Sequence, residues 1–443
     1  MLANPSPADA VAGVPPRLMA PGFLWGAATS AHQIEGGNEY NDWWDWEQIP
    51  GKIRGGARSG SACKSWERYE EDLDLLRALG LNAYRFSVEW SRIEREPGRY
   101  DDQALAHYRR VLEACRTRGV VPMVTLHHFT NPRWFAALGG WEERKNLAHF
   151  ERFARLMGES YGDLVDTWIT VNEPEVYGFY AYDSGMWPPG ATDRSRALQV
   201  IANMLEGHAL AAHALRDTDR TDADGDGRAT WIGVAKHWAL LDPKRRWWPP
   251  DILAAALQHG VFNVAVARAL AGRPIELSIP GSKPARLTGE LMRGSSDFLG
   301  LNYYTRWLVT LTGKDPRCAR RGAPLSDVGW EIYPEGLERA LRELGQFGLP
   351  VIVTENGIAD SVDRWRPEFI RQSLAAIERS RRAGVDVRGY FHWSLLDNFE
   401  WADGFEGRFG LYAVDFEDPE RPRVKRGSAE VYREEISRYG RAE

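Results

Sequence analysis

Two glutamates each end a short apolar run of the sequence. Glu173 follows the letters ITVN at 169–172, and Glu355 follows VIVT at 351–354. An acid at the end of a buried strand is costly unless it is paired or takes part in chemistry. Hydrolysis of a glycosidic bond uses such a pair: one carboxylic acid protonates the leaving oxygen, and one carboxylate attacks the anomeric carbon. Either glutamate alone would fit a salt bridge equally well, but the two together, each beside an asparagine, favour catalysis.

Polar and aromatic side chains also stand at the ends of the other predicted strands. The group holds amides, histidines, an arginine and aromatic rings. It contains no Ser-His-Asp order, no glycine-rich phosphate loop and no histidine spacing typical of a metal site. We therefore predict no metal and no cofactor. The residues are Gln33, Glu35, Arg85, His127, His128, His237, Asn302, Tyr303, Tyr304, Trp393, Asp397, Glu400 and Trp401.

The elements that must position these side chains are eight short apolar runs. Most are nearly continuous in apolar, β-branched and aromatic residues rather than alternating. This pattern is typical of parallel strands that are buried on both faces. The runs cover 23–30, 82–90, 120–128, 167–173, 230–238, 297–305, 350–355 and 387–395.

Amphipathic helical patterns lie between these runs. Apolar residues recur every three or four positions over 66–79, 105–115 and 147–157. Gly80 and Gly119 stand where helix C-caps are expected. Eight strands alternating with helices, with no break in composition, predict one (β/α)₈ TIM barrel, whose catalytic residues lie at the carboxyl ends of the strands. An open doubly wound sheet is the alternative, but the first turn lacks its phosphate-binding glycine pattern.

The chain divides into a short arm and one domain. Residues 1–20 are rich in alanine and proline and predict a loose N-terminal arm, and residues 21–443 form the barrel domain. Long loops are expected at 31–65, 174–195 and 396–430, after the first, fourth and eighth strands. All three loops belong to the catalytic face of such a barrel.

Composition excludes several classes of partner. The 443 residues carry 56 basic and 62 acidic side chains, a net charge of −6, which is not a nucleic-acid-binding surface. The richest apolar window, 252–271, is interrupted by Gln258, His259, Asn263 and Arg268, so we expect no membrane span. The sequence predicts no nucleic acid and no membrane among its partners and leaves the oligomeric state open.

The three cysteines indicate the redox state of the cellular compartment that is expected for this protein. Cys63, Cys115 and Cys318 are odd in number and far apart, which argues against a disulfide framework. The first 22 residues lack the basic start and apolar run of a signal peptide. Together these features predict a cytoplasmic protein. Most of the 19 tryptophans are expected in the core, but an indole face also stacks on the apolar faces of sugars.

Eight segments in order give the chain a clear family resemblance. It is similar to glycoside hydrolase family 1, the retaining β-glucosidases and β-glycosidases, from about residue 21 to about residue 440. One Asn-Glu-Pro tripeptide is weak, but eight segments at matching spacing are specific. They are FLWGAATS (23–30), QIEG (33–36), YRFS (84–87), TLHHF (125–129), NEP (172–174), NYYT (302–305), TENG (354–357) and WSLLDNFEW (393–401).

The resemblance implies a role for each catalytic residue. Glu173 matches the family's acid/base, and Glu355 matches its nucleophile. Arg85 and Tyr304 would keep Glu355 ionised by charge and hydrogen bonding. Glu173, in a drier place facing Glu355, should have a raised pKa and hold its proton near neutrality. The implied sugar-binding residues are Gln33, His128, Asn172, Asn302, Trp330, Trp393, Glu400, Trp401 and Phe409.

The implied activity is that of an exo-acting β-glycosidase working by double displacement with retention. Its partners would be small β-glycosides or short oligosaccharides with a terminal β-D-glucosyl, galactosyl or fucosyl unit, and transglycosylation is an accompanying possibility. A sugar-binding protein without activity, a 6-phosphoglycosidase and a thioglucosidase are the alternatives. The departures from the family pattern, at Gly37, Phe129 and 130–132, affect the rim of the pocket and leave the preferred leaving group in doubt.

Four weaker signals have plainer interpretations. Asp222, Asp224 and Asp226 match the first half of a calcium loop, but position twelve is Gly233, which favours a solvated polar turn. A packing role is favoured for His237, and likewise for the tryptophans at 43, 44 and 46. The alternative for Glu400 is a salt bridge with Arg408 that has no substrate role.

Overall fold

The eight predicted apolar runs form the strands of one closed, parallel barrel. The computed structural model describes residues 22–311 and 319–440. Each strand pairs with its neighbours in chain order, and the eighth closes against the first. This topology confirms the (β/α)₈ barrel and excludes the open sheet. The strands are β1 Leu24–Ala28, β2 Ala83–Ser87, β3 Val121–His127, β4 Thr167–Asn172, β5 Trp231–His237, β6 Phe298–Tyr303, β7 Val351–Asn356 and β8 Val387–Trp393.

Eight main helices follow the eight strands. The three helical patterns predicted from sequence lie in the first three, and Gly80 and Gly119 have the positive φ of C-terminal caps. Asp101 caps the second helix by accepting hydrogen bonds from the backbone of Gln103 and Ala104. The helices are α1 Ser65–Ala78, α2 Asp102–Thr117, α3 Leu147–Tyr161, α4 Arg194–Thr218, α5 Pro249–His259, α6 Gly336–Leu344, α7 Arg366–Arg382 and α8 Gly427–Gly440.

Smaller elements occupy the long loops on the catalytic face and elsewhere. Short strands pair as Glu94–Glu96 with Arg99–Tyr100, Leu240–Pro243 with Arg306–Val309, Ile275–Leu277 with Ala285–Leu287, and Tyr412–Val414 with Arg423–Lys425. Short helices cover Ala31–Ile34, Asp42–Trp46, Arg54–Gly56, Trp90–Ile93, Arg133–Ala137, Gly140–Glu142, Arg144–Asn146, Pro174–Gly178, Phe179–Asp183, Gly260–Ala265, Val266–Leu270, Gly289–Met292, Gly345–Phe347 and Trp401–Asp403.

Aromatic rings fill the barrel interior because glycines on neighbouring strands make room for them. A Cβ at Gly26 would lie 2.3 Å from the Phe391 ring, and one at Gly233 would lie 2.7 Å from the Phe298 ring. A separate and larger cluster packs the outside of the strands against the helices. The barrel is therefore a filled core, and a ligand has access only at its mouth.

Three strands shift their pairing register close to their carboxyl ends. The shifts fall between Ile169 and Asn172 in β4, between Leu301 and Asn302 in β6, and after Val353 in β7. An irregularity of this kind redirects the side chains that follow it. These are the positions from which the candidate catalytic groups extend.

One helical stretch in the described ranges has the length and composition to cross a membrane. It covers Pro249–Leu270, which includes α5, with a mean hydropathy of 1.3 and about 33% of its window buried. The interruptions noted in the sequence do not lower its mean hydropathy below that of a spanning helix. Its packing, described below, attaches one face of α5 to the barrel.

The remaining sequence signals are the cysteines, the N-terminal arm and the acidic turn at 222–226. Cys63 and Cys115 are free and buried, whereas Cys318 and the arm at 1–20 lie outside the described residues. Oxygens of Asp222, Asp224 and Asp226 lie within 4.8 Å of one another on an exposed turn. Those of Asp222 accept hydrogen bonds from backbone N–H groups of the same turn.

A glycine fixes the contact between the ends of β7 and β8. A Cβ at Gly357 would lie 1.8 Å from the carbonyl oxygen of Trp393, which is backbone and has little room to move. Gly357→Ala should therefore lower the free energy of unfolding by roughly 1–3 kcal/mol, measured by urea denaturation. Gly260→Ala is the matched control, because its Cβ would meet nothing within 4 Å. Equal stability of the two variants would contradict the contact.

Candidate active site

The Glu355 carboxylate is held by two donors in the barrel mouth. Arg85 Nη1 donates to Glu355 Oε1, and the Tyr304 hydroxyl donates to Oε2 at 2.5 Å. Glu355 is 3% exposed and Arg85 is fully buried. Since both oxygens of Glu355 accept a hydrogen bond, the group is fixed in orientation and has a permanent positive charge beside it.

Glu173 lies immediately after β4 in a left-handed backbone conformation, with φ of 45°. Its Oε1 accepts a hydrogen bond from Asn302 Nδ2 at 2.8 Å and lies 3.3 Å from His237 Nδ1. Its surroundings are thus an amide and an imidazole, in contrast to the guanidinium beside Glu355. The two carboxyl groups therefore have different environments, as two different catalytic roles require.

A chain of hydrogen bonds joins the two carboxyl groups. Asn302 Nδ2 also lies 3.2 Å from Asn172 Oδ1, which accepts from Arg85 Nη2 at 2.6 Å. Arg85 in turn contacts Glu355. Asn172 Nδ2 is buried and has no hydrogen-bond partner. An unpaired buried donor is costly, so its position beside both carboxyl groups indicates a ligand contact.

Burial governs the charge of Glu355. It raises the pKa of Glu355 to about 7, while the Arg85 charge lowers it, the nearby Glu173 raises it and the Tyr304 hydrogen bond lowers it. We expected Arg85 and Tyr304 to keep this group ionised. Both groups lower the pKa of Glu355. Loss of water on burial, together with the nearby Glu173, raises this pKa by more. Two adjacent carboxylates resist double ionisation, so the pair tends to retain one proton.

A second polar cluster lies at the far end of the pocket. Glu400 Oε1 accepts a hydrogen bond from Trp393 Nε1 at 2.9 Å. The His128 ring is nearly parallel to Trp393 at 5.9 Å and to Trp401 at 6.0 Å. Burial lowers the pKa of His128 well below its usual range, so the ring is neutral, and its Nδ1 has no partner. His127 instead bonds Asn131, as strand alternation predicts.

The salt-bridge alternative for Glu400 does not occur. Arg408 lies 3.7 Å from Asp397 and donates to the carbonyl of Val414. Glu400 is partly buried and contacts no cation among the described residues, and loss of water raises its pKa to about 8. The free site therefore favours the neutral form of Glu400 more than the sequence interpretation, which treated it as a carboxylate, implied.

Gln33 ties two loops together at the same end. Its Nε2 donates to Asn398 Oδ1 and to the carbonyl of Phe399, both at 2.9 Å, and its Oε1 accepts from Ser30 at 2.6 Å. These contacts place Gln33 beside the loop that carries Glu400. A direct contact of Gln33 with a sugar stays a prediction.

Aromatic rings line the outer part of the pocket. Trp330 lies 5.7 Å from Tyr304 and 6.2 Å from Phe409. The His237 ring is nearly parallel to Tyr304 at 6.0 Å. Together with its contact to Glu173, this places His237 in the site, which the packing interpretation missed. Its position at the end of β5 was the signal that could have identified it.

Other groups near the site were not identified from sequence. Thr354 Oγ1 donates to Asn302 Oδ1 at 2.7 Å and so fixes the orientation of that amide. A buried ion pair joins Lys236 and Glu175 at 3.0 Å, one residue from His237 and two from Glu173. Trp43 is fully buried 4.7 Å from Trp401, which agrees with the packing role expected for it.

Three non-glycine residues around the pocket have left-handed backbone. They are Phe129 with φ of 72°, Glu173 with 45° and Trp401 with 49°. Each such residue costs roughly 1–3 kcal/mol and persists only where the surroundings enforce it. Their grouping around one pocket is typical of a functional site.

The comparisons with known proteins agree on one family. A profile of Glycosyl hydrolase family 1 matches residues 17–441. Beta-galactosidase of Pyrococcus woesei is 33% identical over 503 aligned positions, covering 94% of this chain and 97% of that protein. Beta-glucosidase A of Thermotoga maritima is 33% identical, covering 90% and 94%. The solved beta-glycosidase from Pyrococcus horikoshii superimposes with a TM-score of 0.84 at 37% identity, covering 96% and 98%.

The raised pKa of Glu400 predicts a pH-dependent cost to stability. Because this pKa of about 8 lies above the ordinary value of 4.5, the contribution of Glu400 to stability falls as pH rises between those values. Glu400→Gln stays neutral throughout. The unfolding free energy of this variant relative to the parent should therefore rise by about 2–3 kcal/mol between pH 5 and pH 7.5, measured by urea denaturation.

Glu430→Gln is the control for this measurement. Hydrogen bonds from Arg433 and Lys425 lower the pKa of Glu430 to about 2, so this group is ionised over the whole range. The unfolding free energy of Glu430→Gln should differ from that of the parent by the same amount at both pH values. If the difference in unfolding free energy between Glu400→Gln and the parent is also the same at both pH values, the raised pKa of Glu400 is refuted.

Proposed function

Since this chain belongs to glycosyl hydrolase family 1 and is a glycoside hydrolase, we propose that it is an exo-acting β-glycosidase that retains anomeric configuration. Its substrates are small β-glycosides with a terminal β-D-glucosyl unit, and also β-D-galactosyl or fucosyl units. The observation that carries the proposal is the environment of the two carboxyl groups. Glu355 contacts Arg85, whereas Glu173 contacts Asn302 and His237.

The first step uses this difference in environment. The negative charge of the pair belongs on Glu355, because the guanidinium of Arg85 contacts that carboxylate. In this proposal the proton of the pair is assigned to Glu173. Glu355 attacks the anomeric carbon while Glu173 gives its proton to the departing glycosidic oxygen, so the bond to the leaving group breaks as the glycosyl–enzyme ester forms.

The second step reverses these roles. Esterified Glu355 has no negative charge, so Glu173 can remain ionised and remove a proton from water. The water oxygen attacks the anomeric carbon, the ester bond breaks and Glu355 regains its carboxylate. An alcohol in place of water gives transglycosylation by the same route.

Asn172 has the position and the free donor to assist both steps. Its Nδ2 has no partner, while its Oδ1 is fixed by Arg85 at 2.6 Å. A hydrogen bond from this amide to the sugar 2-hydroxyl would strengthen as the ring approaches the oxocarbenium-like transition state. Asn302 supports the arrangement through its bond to Glu173.

The far end of the pocket would hold the terminal sugar. Trp393 offers a stacking surface, and Glu400 and His128 offer polar atoms beside it. A sugar-binding protein without activity has no need of two adjacent buried carboxyl groups. A thioglucosidase of this family has Gln in place of the acid/base, where this chain has Glu173.

Retention tests the whole proposal. If Glu355 is a nucleophile, the two carboxyl groups act about 5–5.5 Å apart, and the first sugar released from a β-glycoside is the β-anomer. Proton NMR of the early reaction distinguishes the anomers before mutarotation. An initial α-anomer would indicate inversion and would refute the double displacement.

Separate substitutions assign the two roles. Glu355→Ala should abolish turnover of every substrate, and formate should partly restore it by occupying the place of the carboxylate. Glu173→Ala should still form the glycosyl–enzyme from aryl glycosides with good leaving groups, so that the intermediate accumulates. Stopped-flow release of the phenol measures both, and identical behaviour with all leaving groups would show that the assignment is wrong.

Glu400 should recognise the hydroxyl groups at carbons 4 and 6. Removing Glu400 would leave the sugar hydroxyl groups without a partner in the pocket, which costs about 1–3 kcal/mol. Glu400→Ala should therefore lower kcat/KM on aryl β-glucosides by roughly ten- to a hundredfold. The loss should be much smaller on the 4-deoxy or 6-deoxy substrate. Equal losses on both would show that Glu400 does not hold these groups, and efficient cleavage of a 6-phosphoglucoside by the parent would support the 6-phosphoglycosidase instead.

A further inference from the structure

The outer face of α5 is unusually apolar and open to solvent. Leu253 is 58% exposed, Leu257 is 47% exposed and Ile252 is 45% exposed. Trp247, just before the helix, is 78% exposed, and Leu311 is 61% exposed. Leu311 belongs to the same surface, because its backbone N–H donates to Asp251 at the start of α5. We call these five residues the α5 face.

The opposite side of α5 is attached to the barrel domain. Ala254 and Ala255 are buried in a small cluster with Val309, and Leu241 packs against it. The helix therefore lies on the domain surface with one apolar side covered and the other uncovered. Such a helix cannot leave the domain to span a bilayer, but it can lie in the plane of an interface.

The segment that contains α5 is predominantly basic in sequence. Residues 244–271 contain four basic side chains and one acid, in a chain whose net charge is −6. The acid is Asp251, which is paired with Arg245 at 2.7 Å. Arg246, next to Trp247, is exposed. The local charge is thus opposite in sign to that of the whole molecule.

From this combination we infer that the α5 face docks on an anionic lipid bilayer. Exposed Trp and Leu side chains enter the boundary between headgroups and acyl chains, and adjacent basic groups contact the lipid phosphates. This inference revises the expectation that the protein has no membrane partner. It agrees with the expected cytoplasmic location, because the leaflet facing the cytoplasm is anionic.

The position of α5 would bring the pocket close to such a surface. Phe262, in the helical segment that continues α5, lies 5.9 Å from His237 and stacks at 5.8 Å on Phe179. His237 contacts Glu173, so the helix that carries the apolar face also borders the leaving-group side of the site. Docking there leaves the barrel fold and the catalytic contacts unchanged.

A second copy of the chain is the competing occupant of this face. An apolar patch on a helix is also typical of subunit interfaces. Like positive charges would meet across a two-fold axis at this patch, because an isologous interface brings the same surface patch of both copies together. The charge pattern therefore favours the lipid surface.

Vesicle sedimentation tests the inference without any substrate, so its result is independent of the proposed function. The full-length protein is mixed with large vesicles of phosphatidylcholine containing 30% phosphatidylglycerol (about one anionic lipid in three), and with phosphatidylcholine vesicles alone. We expect binding to the mixed vesicles that weakens as salt rises. Leu253→Glu should lower the partition coefficient at least tenfold, and Arg246→Gln should lower it severalfold on the anionic vesicles only.

Val424→Glu is the matched control for Leu253→Glu. Val424 is 59% exposed, lies between Arg423 and Lys425 in a short strand elsewhere on the domain, and undergoes the same change of charge. Its variant should bind vesicles like the parent, and thermal unfolding should be similar for both variants. Equal loss in the two variants, or no binding by the parent, would overturn the inference. So would light scattering that shows a dimer which only Leu253→Glu converts to a monomer.

Discussion

Arg85 and Glu355 meet inside the barrel mouth, where neither has appreciable access to water. Removing two charges from water is expensive, and their attraction compensates only if further hydrogen bonds satisfy the remaining polar atoms. Here Arg85 also donates to Asn172, Thr125 and the carbonyl of Thr354, and Tyr304 donates to the second oxygen of Glu355. The ion pair thus joins β2 to β7 across the barrel and fixes the groups around it. Loss of either partner would leave a buried charge unpaired.

The pocket concentrates acids that a stable core would avoid. Glu355 and Glu400 have raised pKa values because burial penalises their charged forms, and Glu173 adds a like charge beside Glu355. This crowding costs stability at neutral and alkaline pH, and it also makes the site reactive. A carboxylate that lacks water is a better nucleophile, and an adjacent acid that keeps its proton can transfer it. Left-handed backbone at Phe129, Glu173 and Trp401 adds to the cost, and the packed barrel supports it.

The two ends of the site differ in the way they are built. The end with Glu400 is closed by tightly packed rings and by the amide of Gln33, which bonds to the loop after β8. Such an enclosure suits one terminal sugar held on all sides. At the other end, His237 contacts Phe262 on the helical segment after α5, and both residues are partly exposed. Under the proposed function, this end would contact the leaving group, and the same helical region carries the apolar face proposed to meet a lipid bilayer.

The sequence by itself determined the barrel and showed that two acids, Glu173 and Glu355, stand at the ends of its strands. Eight near-continuous apolar runs separated by amphipathic helices leave few alternatives to a closed parallel barrel, and strand ends in that fold converge on one mouth. It also determined that Glu173 and Glu355 stand beside amide neighbours. It did not determine the contact of His237 with Glu173, which depends on how the ends of β4 and β5 are placed, or the raised pKa of Glu400, which depends on loss of water in the folded pocket. The sequence also could not show which side of the helix at 249–270 is covered. Periodicity identifies an apolar stripe, but only packing decides whether that stripe meets protein or solvent.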